Sequence, residues 1–80
     1  MSQSVAEKVR QIAADLFDLQ ADQVTDSLSP HTLADWDSMQ HLNLVLAIEA
    51  RLGVQFDPSE IEQMQTMGEV IRIATQKAGK

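Results

Sequence analysis

Between Ser38 and Leu52 the chain places apolar side chains on two separate arcs of a single helix. Advancing about 100° per residue from Ser38, Leu44, Val45, Ile48 and Leu52 cluster on one arc. Met39, Leu42 and Leu46 cluster on a second arc, far round the helix from the first. Glu49 lies on one flank between them, and Gln40, Asn43 and Arg51 lie on the other. One arc is enough to seal a helix against a bundle. A chain of 80 residues builds one domain with one modest core, and such a core does not easily bury both sides of one helix. The only long loop has few apolar anchors to spare for covering the second arc. We therefore expect Met39, Leu42 and Leu46 to stay open as a docking stripe for partner proteins.

The remaining pattern is also helical. Val5, Val9, Ile12, Ala13, Leu16 and Phe17 form one apolar stripe, and Ser4 with Glu7 reads as a capping box, predicting helix I over about 4–18. From 19 to 36 periodicity gives way to turn and cap residues such as Asp22, Asp26, Pro30 and Asp35, with Val24, Leu28 and Leu33 as spaced anchors. A connection this long in so small a chain is unusual and often functional. Helix II is predicted over about 38–52, with Asp37 as its N-cap and Gly53 past its end. Val54 and Phe56 form a buried connector. Asp57, Pro58 and Glu60 open a short helix III, about 58–64, whose apolar face is Ile61 and Met64. Thr66 and Glu69 cap helix IV, about 67–77, with Met67, Val70, Ile71 and Ala74 inward and the tail from Gln76 to Lys80 frayed. With three glycines, two prolines and few β-branched runs, the expectation is an all-α four-helix bundle, one domain over 1–80.

Composition narrows the function. There is no cysteine, so no disulfide staples the fold and any thiol chemistry must come from a cofactor. This fits a reducing compartment, and the expected location is cytoplasmic. No cluster of histidines and acids has metal-ligand spacing. Residues 1–4 carry neither a basic nor an apolar run, so no secretory signal is visible, and no apolar run is long enough to span a membrane. A net charge of −6 disfavours nucleic acid and favours basic partner surfaces, although simple solubility accounts for it equally well. A monomer is expected.

The chemistry centres on Trp36-Asp37-Ser38-Met39. A serine in the first turn of a helix, after a long polar loop, is accessible. It sits at the positive end of the helix dipole, among N–H groups with no intrahelical partner. That is a favourable place for a phosphate. The acid before the serine and the large hydrophobe after it, opening the second helix of an acidic domain of this size, resemble the acyl carrier protein family. The resemblance runs from about Val5 to Ala78.

It implies 4′-phosphopantetheine attached to Ser38, with Asp37 and Met39 flanking it, and acyl intermediates tethered as thioesters on the arm. It implies no catalytic residue and no metal. The implied partners are a phosphopantetheinyl transferase, an acyl-loading enzyme, and acyltransferase or synthase enzymes. Docking would fall to Trp36, Met39, Leu42, Leu46 and Glu49. Helix II departs from the fatty acid carriers of this family, which present many acids there. Here Gln40, His41, Asn43, Ala50 and Arg51 take such positions. The departure implies a specialised carrier in lipid, fatty acid or polyketide-type biosynthesis.

Other readings compete. Ser38 alone would be an ordinary helix-start residue. Ser38 and His41 are neighbours on the helix, but no oxyanion-hole glycines or third orienting group accompany them. His31 and His41 are expected to be solvated, and Glu60 and Glu62 to form a solvated face. Asp37 is first of all a cap. Trp36 meets either a partner or the arm, or packs the loop on helix II. A helical adaptor without a prosthetic group would use the same stripe, and an aminoacyl or peptidyl carrier would use the same serine.

Overall fold

Each helix begins where the sequence supplies an oxygen for its free N–H groups. In the computed structural model, which describes residues 4–79, α1 spans Val5–Phe17, α2 Ser38–Leu52, α3 Pro58–Gln63 and α4 Met67–Ala78, with no strand among the described residues. The Glu7 N–H donates to Ser4 Oγ at 3.1 Å, and Ser4 N–H donates back to Glu7 Oε1 at 2.9 Å. Asp37 caps α2 through Gln40 N–H at 2.9 Å. Asp57 and Glu60 close a reciprocal box on α3 around Pro58. Thr66 Oγ1 accepts from Glu69 N–H at 3.2 Å. α2 ends on Gly53, which takes the left-handed conformation that favours glycine, φ 68°. α1 ends the same way on Asp18, φ 57°.

The fourth helix outlasts its expected end. It runs through Ala78, and Lys77 Nζ lies 3.1 Å from Glu60 Oε1, so the frayed tail is corrected up to that point. Lys80 and residues 1–3, which the expectations of a frayed tail and of no secretory signal partly concern, lie outside the described residues. A 3₁₀ turn over Ala21–Gln23 is an element that periodicity did not reveal.

The core lies between α1, α2 and α4. Val9, Ala13 and Phe17 meet Leu44, Val45 and Ile48, with Met67, Val70, Ile73 and Ala74 closing the third side. Ile73 was not in the predicted α4 stripe, while Ile71 was and is only half-buried. The inward face of α4 is centred on Val70, which places Ile73 inside and Ile71 at the edge. α3 packs on α4 and buries no residue within its own span.

Backbone fastens the long loop as much as side chains do. The first N–H groups of α4, which no helix can satisfy internally, donate into it: Met67 N–H to Leu28 O at 2.8 Å and Gly68 N–H to Asp26 O at 2.9 Å. Gly68 permits this approach, since a Cβ there would stand 3.3 Å from Asp26 O. Arg10 adds an ion pair to Asp26 at 2.9 Å. Val24 is buried, and Leu28 and Leu33 pack against the core. No helix among the described residues is long and apolar enough to cross a membrane.

Candidate functional site: an exposed serine above a groove

The fastened loop ends at Trp36 and delivers Ser38 to the first position of α2, with its side chain exposed. Asp37 uses one carboxylate oxygen to cap Gln40. The N–H groups of Ser38 and Met39 have no acceptor within the helix. Beside the serine opens a groove of about 770 Å³, walled by the Ser29–His31 turn of the loop and by α3, with Trp36 and Met64 in its floor. The turn is stiffened by Ser29 N–H donating to Thr32 Oγ1 at 3.0 Å and His31 N–H donating to Ser29 Oγ at 3.2 Å.

The outer arc of α2 is open. Met39, Leu42 and Leu46 are 73%, 55% and 61% exposed, and no part of the described chain folds over them. The inner arc is buried at Leu44, Val45 and Ile48 and half-buried at Leu52.

Four sequence readings need correction. Trp36 does not lie on the docking surface: it is 1% exposed, with its ring centroid 5.7 Å from that of Phe17. A side chain of that size gains more from burial in the core than from exposure on the surface. His41 is not solvated. It accepts from Trp36 Nε1–H at 3.0 Å through Nδ1, and its Nε2 lies 3.1 Å from Ile61 O. Nothing in helical periodicity pairs a loop tryptophan with a histidine five residues on; the usable signal was an indole donor just before a helix and an imidazole one turn into it. Glu49 is half-buried, and its Oε2 accepts from Phe56 N–H at 2.8 Å, so it anchors the connector after α2. Glu60 likewise is no plain surface acid, since it caps α3 and meets Lys77.

The cap hydrogen bonds hold Glu60 below its ordinary value, Asp57 N–H first and Lys77 after it. Glu7 is held low mainly by the Ser4 N–H.

A phosphodiester fits at Ser38. The hydroxyl is accessible, the helix N-terminus favours negative charge, and the adjoining groove has room for a flexible arm. Fold and site together give a four-helix bundle with an exposed serine at the first position of its second helix. A family model described as phosphopantetheine attachment site matches residues 7–73. The acyl carrier protein of Picosynechococcus sp. is 29% identical over 79 residues, covering 99% of this chain and 98% of the relative. That of Petrotoga mobilis is 30% identical over 71 residues, 89% of this chain and 84% of its own. The acyl carrier protein from Enterococcus faecalis superposes with a TM-score of 0.74 at 31% identity, covering 91% of this chain and 92% of that one. The solution structure of holo acyl carrier protein from Geobacter metallireducens gives a TM-score of 0.83 over 94% of this chain and 86% of that one; at 21% identity it speaks for the fold. The chain belongs to the acyl carrier protein family, non-catalytic carriers whose prosthetic group is 4′-phosphopantetheine.

Proposed function

We propose that Ser38 is the attachment point and that this carrier serves a specialised pathway. The observation that carries the first part is an exposed serine at the first position of α2, next to an acid that caps the same helix and above an open groove. A phosphopantetheinyl transferase would engage the site with coenzyme A. The Ser38 oxygen would attack the phosphorus that bears the pantetheine, its new P–O bond would replace the P–O bond to the bridging oxygen of the pyrophosphate, the nucleotide bisphosphate would leave with that oxygen, and the hydroxyl proton would pass to a base of the transferase or to water. When bound, the arm supplies the terminal thiol that the chain lacks and on which an acyl group is carried as a thioester. The helix N-terminus contributes about 0.3–1 kcal/mol to holding the phosphate's charge. Asp37 orients the turn by capping it, and Met39 stands exposed beside the serine.

Partners would dock on Met39, Leu42 and Leu46. The apolar stripe continues down α2 from Ser38, so an enzyme bound to it has its active site within reach of the arm. An acyl-loading enzyme and an acyltransferase or synthase are the expected users, in the cytoplasm. The specialised assignment is supported by the polar face of α2, where Gln40, Asn43 and the exposed Arg51 stand instead of acids.

Intact-mass spectrometry after treatment with a transferase and coenzyme A tests the attachment. One phosphopantetheine should be added, and Ser38→Ala should abolish the addition with helical content kept. Modification at another serine, or none with several competent transferases, would refute it.

A further inference from the structure

His41 is held by two hydrogen bonds that admit only one state of its ring. Trp36 Nε1–H lies 3.0 Å from His41 Nδ1, and His41 Nε2 lies 3.1 Å from the Ile61 carbonyl oxygen. An indole N–H only donates and a carbonyl oxygen only accepts. Nδ1 must therefore present a lone pair and Nε2 must carry the proton, which defines a neutral imidazole in one tautomer. The two rings are 6.0 Å apart at 24°, close to coplanar, so they meet edge to edge as this hydrogen bond requires. Trp36 is itself fixed by burial against Phe17 and has no other place to turn.

The bond to Ile61 joins α2 to α3. α3 is six residues long and buries none of them. Its remaining anchors are the half-buried Ile61 side chain packed against the core, the buried Met64 just past its end and the Glu60–Lys77 ion pair to α4. It forms one wall of the groove beside Ser38, and His41 lines that same groove.

We propose that His41 is a proton-operated latch that closes α3 onto α2 when neutral and releases it when protonated. A proton from solvent on Nδ1 sets N–H against the Trp36 N–H. The indole is fixed, so the imidazolium turns away, the Ile61 carbonyl loses its donor, and the α3 wall of the groove is freed. The titratable groups sharing the groove are His31 and Asp37 from the loop side and Glu62 from α3; Gln65 and Thr66, toward α4, are uncharged. The latch rests on the two hydrogen bonds and not on the role of Ser38, so failure to modify Ser38 and failure of the latch are separate results.

Nitrogen NMR on the isotope-labelled full chain tests it, over an acid interval above that in which Glu7 and Glu60 lose their charge. At neutral pH the His41 ring should show the Nε2–H tautomer. On acidification the Trp36 indole N–H signal should move with the same midpoint as His41. Hydrogen-exchange protection in α3 should fall roughly five- to tenfold, the size of one net hydrogen bond. In His41→Gln the protection of α3 should no longer change with pH, while His31→Gln should titrate like the parent. The opposite tautomer would overturn the latch. So would an indole signal and α3 protection that ignore His41 ionisation, or a transition that disappears with His31.

Discussion

On α2 the same residue types take opposite roles according to the arc they occupy. Leu44 and Ile48 are fully enclosed, whereas Leu42 and Leu46 stand in solvent. Truncating Leu44 or Ile48 to Ala removes packed methyl groups and leaves a cavity, so each should lose about 2–5 kcal/mol. Leu42→Ala and Leu46→Ala should stay within about 0.5 kcal/mol of the parent by urea unfolding. Equal losses at both pairs would show that the outer arc is buried. Asp18 offers a second test, because it holds a left-handed conformation without being glycine, φ 57°. Asp18→Gly removes the strain of the side chain but loosens the unfolded chain. Thermal melting should place it level with the parent or above it by up to about 1 kcal/mol. Both arcs were legible from spacing alone, and the same spacing sets His41 on the inner arc between Ile48 and Leu52, but its pairing with Trp36 was not legible. Their roles depend on the loop folding back so that two rings from different elements meet.

At the scale of elements, the caps carry information that the stripes do not. Glu7 and Glu60 each accept a backbone N–H at the start of a helix, and each is held below its ordinary value of 4.5. A carboxylate depressed in the folded state adds stability that is present above its unfolded value and is lost as pH falls through the folded one. The start of α1 and the start of α3 should therefore loosen below about pH 4.5. Glu60→Gln should flatten the fall in melting temperature between pH 5 and pH 3 (roughly the span over which a lowered glutamate discharges). An unchanged acid limb would remove Glu60 from that account.

The clamp between α4 and the loop makes a further prediction. In an ordinary helix Gly→Ala gains about 1 kcal/mol. At Gly68 the new methyl would press on Asp26 O, a backbone atom already held by the Gly68 N–H. Gly68→Ala should therefore bring no rise in melting temperature, and the exchange of the Gly68 amide should quicken. A rise of several degrees would show that the loop yields. The clamp was invisible in the sequence because it is made of main-chain atoms from segments far apart along the chain, Leu28 with Met67 and Asp26 with Gly68.

For the whole molecule, the distribution of charge matters more than its total. The net charge of −6 is compatible with basic partners, yet the flank of α2 beside the docking stripe carries Gln40, Asn43 and Arg51. Rim charges act mainly on the rate of encounter. Binding to a fatty acid ketosynthase or malonyl transferase with a basic docking site should accordingly be slow, and less sensitive to salt than that of a carrier with an acidic α2. Asn43→Glu combined with Arg51→Glu should speed association and steepen its salt dependence in stopped-flow measurements. Arg51 lies in the last turn of α2, so losing its charge there costs about 0.3–1 kcal/mol of stability; the comparison therefore belongs well below the melting temperature. If the parent already associates as fast as a fatty acid carrier at low salt, and the double change adds nothing, the specialised assignment fails.

Periodicity, caps and the scarcity of breakers determined the four helices, the two arcs of α2 and the serine at its head. These depend on neighbours within a few residues along the chain, and local sequence encodes such relations. Tertiary structure alone decided the contacts between elements: the buried Trp36, the His41 ring tying α2 to α3, the Glu49 hold on the connector after α2, and the loop fastened to the first N–H groups of α4. Each joins donors and acceptors across elements. No residue type announces such a partner before the backbone has brought the two together.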